Sequence, residues 1–205
     1  MPVFKKGVLL LAAILLYASD GHAQSNDVSV TFGATFSPSF EGQRVCEALP
    51  VCPPGPVNQT VVPGFSLVGA YSTRLIDLKA ASVHLELPVM FAPSRNVGTG
   101  LFTADFSSFY FMPSIKLKFL PGSGISPFAS VGGGIAHFNE SSISDNRTAF
   151  QVGGGLDIKT RLPLLGFRLE VRDFMTGRPG TPSFSTVSSD HLHSIFAGGG
   201  ITLHF

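Results

Sequence analysis

The sequence predicts an all-β fold: an eight-stranded antiparallel up-and-down transmembrane β-barrel, preceded by a cleavable signal peptide. Three observations lead there. Eight segments alternate apolar with small or polar residues at period two, the connections between them alternate short and long, and no apolar stretch after residue 23 is long enough for a membrane-crossing helix. The composition agrees. Only 13% of the 205 residues are charged, whereas the chain holds 23 glycines, 19 phenylalanines and 15 prolines, a mix suited to a protein solvated partly by something other than water.

The N-terminus accounts for part of the apolar character. Lys5 and Lys6 precede the apolar run Gly7 to Ala18, and Gly21-His22-Ala23 supplies the small residues that signal peptidase requires, so cleavage is expected after Ala23. Residues 1–23 are then the leader and residues 24–205 the barrel domain. An N-terminal anchor is the competing reading, but the run is about a dozen residues against the roughly 20 that a spanning helix needs. Of the 14 basic and 13 acidic residues, Lys5, Lys6 and Asp20 fall in the leader, which leaves the mature chain formally neutral. It has no basic patch, and no nucleic acid partner is expected.

The strands follow in order. In the first, Val28, Val30, Phe32, Ala34 and Phe36 alternate with Ser29, Thr31, Gly33 and Thr35. The second carries Phe65, Leu67, Gly69 and Tyr71 on one face; the third sets Val83, Leu85, Leu87, Val89 and Phe91 against His84, Glu86, Pro88 and Met90. The fourth sets Phe109, Phe111, Pro113, Ile115, Leu117 and Phe119 against Ser108, Tyr110, Met112, Ser114, Lys116 and Lys118. A fifth runs from Phe128 to Phe138, where glycines leave open which face meets lipid. In the sixth, Phe150, Val152, Gly154, Leu156 and Ile158 oppose Gln151, Gly153, Gly155, Asp157 and Lys159. The seventh opposes Phe167, Leu169 and Val171 to Arg168, Glu170 and Arg172, and the eighth, Leu192 to Phe205, aligns Ile195, Ala197, Gly199, Ile201, Leu203 and Phe205.

Tight connections are expected at Leu75 to Lys79, Pro121 to Gly124 and Arg161 to Leu165, and longer ones near 38–61, 93–105, 139–146 and 176–190. That alternation matches the short periplasmic turns and long external loops of outer-membrane barrels. A soluble β-sandwich shares the alternation but gathers the apolar faces in its core. Strand length, connection asymmetry and the terminal phenylalanine favour the barrel.

The ending Ile201-Thr202-Leu203-His204-Phe205 resembles the insertion signal read by the barrel-assembly machinery, with Ile201, Leu203 and Phe205 as its apolar positions. Together with Ser126 to Ala136 and Phe167 to Phe174, it resembles the OmpA/OmpX-like eight-stranded outer-membrane barrel domain over residues 24–205. The resemblance implies residence in the bacterial outer membrane, contact with its lipid, and assembly by that machinery. No peptidoglycan-binding domain follows Phe205, so the wall-anchoring role of two-domain relatives is not carried over.

On these faces Glu86, Lys116, Lys118, Asp157, Lys159, Arg168, Glu170 and Arg172 point into the lumen. Bare charges there are costly unless paired or hydrated, so a salt-bridge network plugging the barrel is expected; a gated pore is the alternative use of the same residues. Cys46 and Cys52 lie in the first long connection, and the export signal places them in an oxidising compartment, so a local disulfide is expected rather than a metal site.

Asp190-His191-Leu192-His193-Ser194 brings together acid, base and nucleophile types, as the few lipid-modifying barrels would require. Adjacent residues of a strand point to opposite faces, however, so His193 and Ser194 cannot form a nucleophile–base pair there. The glycine runs at 132–134, 153–155 and 198–200 lie inside strand patterns, so no nucleotide or other cofactor is expected. Function is therefore expected to be non-enzymatic: structural, or surface interaction of the outer loops with an unidentified extracellular ligand, with a small ion or solute channel as the alternative and lipid A modification behind both.

Overall fold

The computed structural model describes residues 26–38, 40–43, 56–98, 103–140, 143–162, 164–177 and 191–205. Residues 1–23, where a leader is expected, and both cysteines lie outside them. The described residues form eleven strands: β1 (Asn26–Phe36), β2 (Phe40–Gln43), β3 (Pro56–Val61), β4 (Gly64–Asp77), β5 (Ala81–Gly98), β6 (Thr103–Phe111), β7 (Ser114–Phe119), β8 (Ile125–Glu140), β9 (Ile143–Lys159), β10 (Leu165–Gly177) and β11 (His191–His204).

Every pairing is antiparallel, and β1 closes the sheet on β11 as well as pairing with β4. The eight staves are β1, β4, β5, β6 with β7, β8, β9, β10 and β11. The fourth expected strand is divided at Met112 and Pro113, yet β6 and β7 continue one register against β5, from Val89↔Phe111 to Glu86↔Ser114. Pro113 has no N–H to donate, so the ladder is interrupted while the stave runs on.

The first hairpin is longer than its apolar pattern indicates. Passing from the pair Asn26↔Thr73 to the pair Phe40↔Gln59 advances both chains equally, so β2 and β3 extend β1 and β4 in unchanged register. Pro38 and Pro63 occupy the gap between them. The connections expected near 93–105 and 139–146 are likewise ladder at their inner ends, with Gly98 opposite Thr103 and Glu140 opposite Ile143. Polar residues such as Ser144 and Asn146 keep the strand going because the backbone is satisfied by its neighbour whatever the side chain; polarity marks a change of surroundings rather than a strand end.

The tight connections follow Asp77, Phe119 and Lys159, all at the end that carries both termini. Asn26 and Phe205 exchange backbone hydrogen bonds of 2.9 and 3.0 Å there.

The outer wall is apolar. Phe32 is 54% exposed and Phe167 51%, and Phe65, Phe91, Phe150, Ile115, Val131, Leu169 and Ile201 share that surface. Inside, Glu86, Lys116, Arg168 and Arg172 are fully buried. A soluble sandwich has the opposite polarity. This inside-out distribution belongs to a barrel crossing lipid, where closure leaves no unpaired strand edge. β8 is now oriented: Phe128, Ser130, Ala136 and Phe138 face inward, and Val131 and Ile135 face outward.

Candidate functional site in the lumen

The inward face of β10 supplies the centre of the lumen, because period-two geometry aims Arg168, Glu170 and Arg172 at the barrel axis. Arg168 forks onto Asp157 of β9, donating from Nε to Oδ1 at 2.7 Å and from Nη2 to Oδ2 at 3.1 Å. Its Nη1 reaches Ser29 Oγ at 2.8 Å and Glu86 Oε1 at 3.3 Å. Planar, bidentate pairing of this kind is the strongest form of ion pair available to a side chain.

Arg172 donates to Glu170 Oε2 from Nε at 2.9 Å and to Glu86 Oε2 from Nη2 at 2.9 Å, while its Nη1 reaches Gln151 Oε1 at 3.1 Å. Gln151 in turn donates to Ser130 Oγ at 3.0 Å. Thr31 donates to the other oxygen of Glu170 at 2.5 Å. Glu86 also pairs with Lys116 at 3.3 Å, so one carboxylate joins three cations, two from β10 and one from β7.

Lys118 pairs with Asp157 at 2.9 Å, and both lysines lie 3.9 Å from Asp27 Oδ2. The Phe128 ring lies beneath Arg168 and Lys116, with centroid distances of 4.9 and 5.5 Å. Seven of the eight charged residues singled out from the sequence thus meet in one connected network. Lys159 does not: it is exposed at the terminal end of β9, and its Nζ donates to the carbonyl of Pro121 at 2.8 Å. Its parity aims it inward, but the last residue of the strand sits at the mouth, where hydration and a turn carbonyl satisfy it.

Sequence reasoning passed over Asp27, His204 and Gln151. His204 Nδ1 donates to Asp27 Oδ1 at 2.6 Å, joining the last strand to the first across the seam of the barrel. Both residues continue the inward polar rows of Ser29 and Thr202, so extending the alternation by one step finds them. With Asp27 included, the network contains four cations, Lys116, Lys118, Arg168 and Arg172, and four carboxylates, Asp27, Glu86, Asp157 and Glu170.

Glycines make room for these long side chains. A Cβ on Gly153 would lie 2.7 Å from Arg172 Cγ, and one on Gly155 would lie 2.8 Å from Phe128 Cζ. Toward the loop end the filling turns apolar. Tyr110 meets Phe138 edge-on at 5.9 Å and Phe174 at 5.1 Å, with Met90, Met112 and Phe196 also buried there.

The acid, base and nucleophile types of β11 do not converge. His193 lies on the outer face, 2.8 Å from Asp173 Oδ2, whereas Ser194 is buried inside and accepts from Tyr110 at 3.1 Å. Ile201 and Leu203 face outward and half-exposed, and Phe205 ends the chain beside Asn26.

No family model matches the chain, and no curated protein matches it in sequence. Solved structures do. The crystal structure of Neisserial surface protein A is similar with a TM-score of 0.56 and 12% identity, covering 90% of this chain and 100% of that one. The outer membrane protein OprG from Pseudomonas aeruginosa is similar with a TM-score of 0.52 and 13% identity, covering 90% and 98%. At such identities the likeness is one of fold, and the chain has the closed eight-stranded antiparallel barrel of these outer-membrane proteins.

Proposed function

We propose that this chain is a non-enzymatic outer-membrane barrel with a closed lumen, acting through the surface that its loop end presents outside the cell. One observation carries the reading: four cations and four carboxylates neutralise one another across the lumen, and an aromatic layer lies above them. About eight strands enclose little more than their own side chains, and here the space is taken by groups that hold each other in place. Paired charges of this kind stiffen a wall; they leave no row of free sites for a permeating ion.

Planar-bilayer recording of the purified full-length mature chain tests this. A closed lumen gives no stepwise conductance, in the original chain or in Glu170→Gln. Reproducible steps in the original chain that change in Glu170→Gln refute closure and favour the small-channel reading. Expression should likewise leave lipid A acylation unchanged, since His193 and Ser194 face opposite sides of β11.

The same reading includes export by residues 1–23 with cleavage after Ala23, a Cys46–Cys52 disulfide, and insertion into outer-membrane lipid through the barrel-assembly machinery at Ile201, Leu203 and Phe205. The outward, apolar placement of Ile201 and Leu203 supports the last of these. The extracellular ligand is left as a class, because no motif in the long connections specifies one.

A further inference from the structure

We propose that Arg95 holds a single small monovalent anion, of chloride size, inside the loop end of the barrel. The register of β5 against β6 slips between Ala92 and Arg95. A bulge of this kind adds a residue to one strand and reverses the parity beyond it. Even-numbered residues of β5 face inward up to Ala92; after the bulge, Arg95 does, and it is 2% exposed.

Arg95 differs from the four cations deeper in the lumen. Each of those has a carboxylate within 3.3 Å. Among the described residues, none forms an ion pair with Arg95. Its Nη1 donates to Ser37 Oγ and Ser194 Oγ, each at 3.3 Å, and its Nη2 to Ser108 Oγ at 3.0 Å. The guanidinium carbon lies 4.6 Å from the centroid of Phe106. Nε is buried with no partner, as is the hydroxyl of Thr176. On β10, Thr176 stands just beyond Phe174, the residue paired with Ser194.

A guanidinium does not shed its proton, so it remains a full charge in a buried place. Three neutral hydroxyls orient dipoles toward it without cancelling that charge, and an uncompensated buried charge is costly. The hydroxyls around Arg95 can also donate. Each serine that accepts from Arg95 keeps its own hydrogen, and Nε–H and the Thr176 hydroxyl lack acceptors. One monovalent anion beside Nε satisfies that donor and neutralises the charge. Sulfate or phosphate brings a second charge, which a single guanidinium does not balance. The inference is independent of whether the lumen conducts.

The test follows the thermal unfolding midpoint of the folded full-length mature chain in detergent as sodium chloride replaces sodium gluconate at constant ionic strength. The expected result is a saturable rise of about 4 °C, reproduced by bromide, weaker with sulfate, and absent in Arg95→Met. Crystals of the unaltered chain grown in bromide provide a readout that needs no variant: an anomalous peak within about 3.4 Å of Arg95 Nε. A flat midpoint without such a peak overturns the proposal, as does a chloride response that survives in Arg95→Met. Equal stabilisation by sulfate overturns the assigned size and charge. If Arg95→Met does not fold, the bromide peak alone decides.

Discussion

Replacing Glu86 by alanine removes the carboxylate on which three buried cations converge: Lys116 and Arg168 at 3.3 Å and Arg172 at 2.9 Å. Arg168 retains its fork on Asp157, and Arg172 retains Glu170. Lys116 fares worst, since its next carboxylate is Asp27 at 3.9 Å. The network goes from neutral to one excess positive charge at a fully buried position. Breaking a buried pair in this way costs about 3–5 kcal/mol, because the surviving charge keeps its desolvation penalty and loses its compensation. Glu86→Gln preserves the shape and one acceptor, so its cost should be about 2 kcal/mol, the scale of a charge-assisted hydrogen bond.

Urea unfolding of the chain folded in lipid vesicles, followed by the gel mobility of unboiled samples, measures both. The double variant Glu86→Gln with Arg172→Met restores charge balance, and should be more stable than the two single costs added together by about 1 kcal/mol or more. A loss below about 1 kcal/mol for Glu86→Ala would refute the argument. It would mean that water enters the lumen and screens the cations, so that the network does not act as a dry, mutually dependent filling.

The other predictions concern the walls. Gly153→Leu should destabilise by about 1–3 kcal/mol by driving into Arg172 Cγ and the Val171 carbonyl, whereas Gly69→Ala, which meets nothing within 4 Å, should stay within about 0.5 kcal/mol of the original chain in the same titration. Lys159→Ala should cost under about 1 kcal/mol, since the residue is exposed and bonds only a turn carbonyl; a loss as large as that of Glu86→Ala would place it in the network after all. Val131→Arg should cost about 2–4 kcal/mol in vesicles if that face of β8 meets the lipid interior, and a neutral result would reverse the orientation of the strand.

Strand existence and facing were legible wherever the alternation was chemically sharp. In β10 Arg168 and Glu170 each sit between two apolar residues and Arg172 continues their alternation, so the inward placement of all three follows from the pleat alone. In β8 the run Gly132-Gly133-Gly134 has no side chains to alternate, and orientation came from its neighbours: Phe128 lies against Arg168 and Phe138 against Tyr110. Strand length was read short for a related reason. Once the strands leave lipid the apolar signal ends, but the ladder continues through Glu140↔Ile143 and Gln43↔Pro56 on backbone bonds that carry no side-chain signature.

What the sequence determined by itself is the class of solution: period-two segments with one apolar face and no helix to cross a membrane leave a closed barrel as the way to satisfy every backbone group in lipid. Only the tertiary structure decided which charges meet. Glu86 is far in sequence from Arg168 and Arg172, and their contact depends on closure of β1 onto β11 and on the shear of the staves, neither of which any local pattern encodes. Arg95 shows the limit most plainly. A one-residue slip at Ala92 reverses its face, and nothing short of the paired register of β5 and β6 reveals it.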